Sequence, residues 1–143
     1  MFASPLAVQR PAASPAGAYR QVDMETGTAD ASPHKLIQML FDGLQDALAR
    51  ARGALQARQI EAKCKAIGQA ARIVEEGLRA GLDLHAGGAL AADLNALYAY
   101  LTLRLTHANL HNDAEALEEC VRLVEPVRAA WAEIGPRVHE AAR

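Results

Sequence analysis

Apolar residues recur along the chain at steps of three and four, interrupted only at a few polar or glycine-rich points. Leu36, Leu40, Leu44, Ala47, Leu48, Ala51 and Leu55 share one helical face and predict a first helix over about residues 33–57. Ser32 stands where its hydroxyl can cap the first turn, and Pro33 takes the first helical position, where its missing N–H costs nothing. Ile60, Cys64, Ile67, Ala71, Val74, Leu78 and Leu82 predict a second helix over about 60–82, with the break near Arg58. Asp83-Leu84-His85-Ala86-Gly87-Gly88 reads as a connection, because paired glycines free the backbone to turn. Leu90, Leu94, Leu97, Tyr98, Leu101, Leu105 and Ala108 predict a third helix over about 89–110.

Asn112 has cap chemistry, and Glu115 three residues on completes the form of a capping box. The fourth stripe is Leu117, Cys120, Val121, Val124, Val127, Trp131 and Ile134; Gly135-Pro136 is expected to end that helix, and Pro126 to kink it. Four amphipathic helices with short connections predict an all-α fold, an antiparallel up-down-up-down four-helix bundle. Residues 1–17 carry Pro5, Pro11 and Pro15 and are expected to form a mobile tail. Tyr19 and Val22, three apart, give one helical turn an apolar side. That segment is too short to stand alone and is expected to dock on a bundle domain over 18–135, leaving 136–143 as a short C-terminal tail.

Composition narrows the core. Hydrophobic residues make up 51% of the chain but aromatics only 4%, so the interior must be built from Ala, Leu, Ile and Val, which suits close helix packing. At 143 residues the chain is long enough for one such core. The formal charge of −2 is dispersed, and no basic block exists to neutralise phosphates, which argues against nucleic acid as a partner. No apolar run of about 18 residues that could span a membrane occurs. The N-terminus lacks the pattern of a secretory signal, and Cys64 and Cys120 have no metal-type spacing. These features read as a reduced, cytoplasmic protein. Both cysteines fall on the apolar stripes and are expected to be buried thiols.

The polar residues offer one candidate pair for metal chemistry. His107 and His111 are four apart and share a helical face, as zinc ligands often do. Neither a glutamate in the metalloprotease position nor a Glu-x-x-His pair accompanies them, so no metal or cofactor is expected. A His-containing phosphotransfer or helical adaptor bundle is the competing functional class. Against phosphotransfer, His107 is followed by Ala108-Asn109-Leu110, without the neighbouring Lys and Gly that would make room for a phosphoryl donor. No nucleophile–base set and no phosphate loop is present, and the chain reads as non-enzymatic.

Several segments together resemble the flagellin export chaperone family, FliS. They are Ala18-Tyr19, Ala31-Ser32-Pro33, Leu36 to Gly43, Ala47 to Arg52, Gly77 to Asp83, Leu97 to Tyr100, Arg104-Leu105, Ala108 to Asp113 and Ala130-Trp131. The resemblance covers about residues 18–134. Phe41 stands where the family often has Tyr, and the tail before Tyr19 is longer than the family pattern. The resemblance implies a cytoplasmic helical bundle that binds the disordered C-terminal segment of flagellin, blocks premature polymerisation and delivers the subunit to the flagellar type III export apparatus. A second partner, an export-gate component or flagellar regulator, would use another face. Without client, the uncovered surface leaves homodimerisation open.

Amphipathic partner helices anchor in apolar grooves at the same spacings of three and four. Most stripe leucines are core, so the candidates for partner contact are apolar residues beside the stripes: Ile37, Met39, Leu103 and Leu110. Asn109 is a candidate polar contact; Asp113 is another, although capping accounts for it and Asn112. Tyr19 and Val22 either staple the N-terminal segment to the bundle or act as a lid on the client groove.

Overall fold

The computed structural model describes the backbone of residues 32–141 and the side chains of residues 32–135. Four helices follow one another with no strand among the described residues: α1 (Pro33–Gln56), α2 (Ile60–Arg72, continued by a π-helical segment Ile73–Arg79), α3 (Gly88–His111) and α4 (Ala114–Ala141). Ser32 Oγ accepts from the Lys35 N–H at 3.1 Å, and Pro33 follows in the first turn. α1 ends in a Schellman arrangement, with Gln59 N–H on the Ala54 carbonyl and Arg58 N–H on the Leu55 carbonyl. Arg58 adopts φ 59°, the left-handed conformation such an ending favours and glycine adopts most cheaply. Asp83 opens the α2–α3 connection by accepting from the Ala86 N–H at 2.9 Å, and Gly88 turns the chain with φ 57°.

Side-chain pairs fix the direction of each helix. Along α1 and α4 the pairs are His34 with Trp131, Asp42 with Arg128, Gln45 with Glu125 and Arg52 with Glu118, so these two helices run antiparallel. Lys63 with Asn109, Glu75 with Thr102 and Arg79 with Asn95 do the same for α2 and α3. Arg50 with Gln69, and Leu40 facing Gly77, orient α1 against α2. α1 and α3 each pack on both α2 and α4. The result is the expected all-α bundle. Its core holds Phe41, Leu44, Leu48, Leu78, Tyr98, Leu101, Leu105, Leu117 and Trp131, closed at the helix seams by Ala47, Ala51, Ala70, Ala91, Ala108 and Ala116.

Four local expectations are corrected. Ile60 and Cys64 were expected inward but are exposed; the upstream half of α2 buries Lys63, Ala66, Ile67 and Ala70 instead. The π-helical segment is the reason. From Ala66 the buried positions advance by fours (Ala70, Val74, Leu78, Leu82), and each step of four overshoots a 3.6-residue turn by about 40°. The wider turn of Ile73–Arg79 takes up that drift, so one uniform projection cannot describe both halves. Asn112 does not cap α4: it closes α3 in the left-handed conformation (φ 51°, ψ 46°), and Asp113 Oδ1 accepts from the Glu115 and Ala116 N–H groups. Asn is among the few side chains that visit this conformation readily, which shifts the cap by one residue. Nor does Gly135-Pro136 end α4 or begin a tail, since the helix passes through Pro126 and Pro136 to Ala141. A proline removes one bond of the ladder, and the anchoring of Trp131 and Ile134 carries the helix past it. Ile37, the fourth, belongs with the candidate site.

Candidate partner-binding site

Charged side chains tie the helix seams, and this determines which faces stay apolar and open. Glu119 accepts from Arg104 at 2.7 Å and from the Tyr100 hydroxyl; the Tyr100 bond, then Arg104, holds its carboxyl below the usual range, and the same contact raises the Tyr100 phenol. Across the other edge of α3, Glu75 is lowered first by the Thr102 hydroxyl and also by Arg79. With both flanks of α3 tied down, its outward face is left.

That face is apolar. Ala92, Ala96, Ala99, Leu103, Thr106 and Leu110 follow at alternating steps of four and three, on the side of α3 opposite the buried Ala91, Tyr98, Leu101, Leu105 and Ala108. Leu103 is 68% and Leu110 74% exposed. A helix apolar on both sides is ordinarily covered on both sides. Leu103 and Leu110 therefore do not widen the inner stripe, as their positions beside it suggested; they form a second stripe.

A groove of about 290 Å³ lies between α3 and α4, lined by Leu90, Leu94 and Tyr98 on one side and Val127, Trp131 and Ile134 on the other, with Phe41 of α1 also in its wall. Trp131 is locked to the start of α1. His34 stacks on the indole with centroids 4.8 Å apart and planes within 12°, His34 Nε2 lies 2.7 Å from the Trp131 carbonyl, and Trp131 Nε1–H donates to the His34 carbonyl at 3.0 Å.

The candidates from sequence separate clearly. Met39 is 54% exposed on α1, away from α3's own stripe. Ile37 is 0% exposed and belongs to the core: in the first turns of α1 Ile37 and Phe41 point in and Leu36 and Leu40 take the edge, whereas from Leu44 to Ala51 the predicted stripe itself is buried. Asn109 is half-buried at the α2–α3 corner, where its carbonyl accepts from Lys63 Nζ at 2.9 Å and its side-chain oxygen is buried without a hydrogen-bond partner. Lys63 is almost wholly buried and also donates to Asn112 Oδ1 at 2.6 Å, which ties down the C-terminal end of α3. Tyr19 and Val22 lie outside the described residues. Sequence reasoning passed over Lys63, the His34–Trp131 lock and the alanines at 92, 96 and 99; a second heptad projection of α3 would have found the last.

His107, His111 and Cys120 are accounted for by ordinary contacts and burial. His107 Nε2 pairs with Asp113 Oδ2 at 3.1 Å, and its ring lies 4.6 Å from that of His111. Among the described residues no group of three or more His, Cys, Asp or Glu side chains is placed to hold a metal ion. Burial pushes the Cys120 thiol up to about 12, whereas Cys64 is exposed. No helix among the described residues is long and apolar enough to cross a membrane.

A bundle with a doubly apolar helix and a neighbouring groove matches known proteins over most of its length. The family model described as "Flagellar protein FliS" matches residues 15–138. The flagellar secretion chaperone FliS of Salmonella typhimurium is 47% identical over 120 residues, covering 84% of this chain and 89% of the relative. The flagellar secretion chaperone FliSB of Pseudomonas aeruginosa is 44% identical over 113 residues, covering 79% and 89%. FliS of Bacillus subtilis is 30% identical over 118 residues, covering 82% and 84%. On this extent and identity, the chain belongs to the FliS family of flagellar secretion chaperones.

Proposed function

We propose that this protein is a cytoplasmic, non-enzymatic export chaperone that binds the disordered C-terminal segment of flagellin. It holds that segment as helices, prevents premature polymerisation and delivers the subunit to the flagellar type III export apparatus. The observation that carries the reading is the second apolar stripe of α3, with Leu103 and Leu110 exposed on a helix whose other face is already core. An amphipathic client helix would cover it with anchors at spacings of three and four, and apolar side chains of a second client helix would enter the groove beside Trp131. Coupled folding of a tail typically buries about 1,000–3,000 Å² and costs about 2–5 kcal/mol in ordering. At about 25 cal/mol per Å² the apolar gain exceeds that cost without polar precision.

The N-terminal segment is proposed as a lid. His34, near the start of the described chain, stacks on a groove-lining tryptophan, and a segment carrying Tyr19 and Val22 upstream of it would cover the same groove. An export-gate component or a regulator would use a face the client leaves open. The client-free chain is proposed to pair with a second copy through α3. In an antiparallel pair of stripes Ala92 meets Leu110, Ala96 meets Thr106 and Ala99 meets Leu103, so each small residue faces a larger one. Flagellin with and without its C-terminal tail tests the reading in one binding experiment: the full chain binds and the tailless chain does not. Equal binding of both refutes it.

A further inference from the structure

The lock between His34, Trp131 and Gly135 has more parts than a bundle end requires. The Trp131 carbonyl can only accept, so Nε2 of His34 carries the hydrogen. In an α-helix the carbonyl of one residue points toward the N–H four positions on, and a side chain there covers the preceding turn. Gly135 is four residues after Trp131, and its missing side chain is what leaves that carbonyl open to the imidazole. A Cβ at 135 would stand 2.6 Å from His34 Cε1 and 3.1 Å from Nε2. A free side chain would swing aside; this ring is held by the stack on one face and a hydrogen bond at its edge. α4 thus carries its poorest helix former short of proline where the contact needs it. The indole so fixed is a wall of the apolar groove, together with Ile134 and Val127.

We infer that His34 and Gly135 are positioning residues for partner binding: they hold the Trp131 indole in the rotamer that shapes the groove between α3 and α4. The inference rests on the reading that the groove receives a flagellin tail helix. His34 and Gly135 act through Trp131, which would touch the client directly. A merely structural role makes a different prediction for Gly135→Ala. Alanine is the better helix former, so loss of a structural contact alone would be offset in α4, and affinity for the tail would not change.

The chain has one tryptophan, so its fluorescence reports this site alone. The test compares wild type, Gly135→Ala and His34→Ala for helix content, tryptophan emission and affinity for a synthetic peptide of the last 40 or so flagellin residues. The length of about 40 allows two or three helical segments at about 1.5 Å per residue. Both variants are expected to keep wild-type helix content, shift the emission in the same direction, and bind the peptide about three- to tenfold more weakly, the scale of one aromatic pair. Variants that bind as tightly as wild type overturn the inference alone. If both lose helix content, the lock is a folding contact and the inference also falls. A wild-type protein that does not bind the peptide refutes the reading of the groove, and this inference with it.

Discussion

Truncating the outer stripe of α3 separates binding from folding. Leu103→Ala and Leu110→Ala each remove three carbons, worth ~2.4 kcal/mol if fully transferred from water at ~0.8 kcal/mol per carbon. In the free chain these side chains are 68% and 74% exposed, so some 70% of that value is still available to a partner. Each truncation should therefore weaken the flagellin tail by ~1.6 kcal/mol, about 15-fold. Seven residues along a helix is about 10 Å, far enough for the two effects to add, so the double variant should lose about two hundredfold. Each truncation should cost the fold less than about 1 kcal/mol, since only some 30% of the side chain is buried in the free chain. Calorimetric titration of the tail peptide reads the first quantity and urea unfolding the second. A double variant that binds within about threefold of wild type would refute the outer stripe as a client surface. One that binds weakly because it is unfolded would refute its placement on the surface.

Ile37→Ala should behave in the opposite way, destabilising the bundle by about 2–5 kcal/mol in urea unfolding, because the side chain is 0% exposed. Arg58→Gly should raise stability by about 1 kcal/mol, since residue 58 holds φ 59° and glycine meets that conformation without strain; an unfolding midpoint at or below wild type would contradict it. Cys64 should react quickly with a thiol reagent near pH 8 in the native protein while Cys120, pushed up to about 12 by burial, reacts only on unfolding; two equally fast thiols would be inconsistent with α2's phase. Glu75 and Glu119 are lowered from 4.5, so each supports the fold above that pH and the support is lost as pH falls through the native values; Glu119→Gln should flatten part of the acid limb of a stability profile.

The architecture was legible because four long stripes at helical spacing leave one economical arrangement when the connections are short. Ser32-Pro33 and the glycines at 87 and 88 mark their boundaries by conformational chemistry alone. What escaped reading has specific causes. A leucine pattern defines a face only to within a residue, and Ile37 and Phe41 show that the first turns of α1 bury the positions next to the leucines, while the stripe from Leu44 to Ala51 is buried as the pattern predicts. Cys64 and Ile60 were misplaced because a π-helical segment breaks the uniform phase between them and Val74, and no local residue type announces it. Asn112 and Asp113 share cap chemistry, so the choice between them depends on where α3 ends, which Lys63 helps to fix from another helix. Gly135-Pro136 reads locally as a stop signal, yet Gly135 serves a contact with His34, just over a hundred residues earlier, that only the tertiary structure reveals. The proposed client surface was half legible: Leu103 and Leu110 stand out as apolar, but their isolation from the core depends on α3 being packed by its other side.

The central claim is that an apolar surface of this bundle folds a disordered flagellin tail. Calorimetric titration of the full chain with the tail peptide, repeated at several temperatures, tests it most directly. The account predicts 1:1 binding with a negative heat-capacity change, the mark of apolar burial coupled to folding. Absence of binding by a soluble tail peptide, or binding with no heat-capacity change, would contradict it.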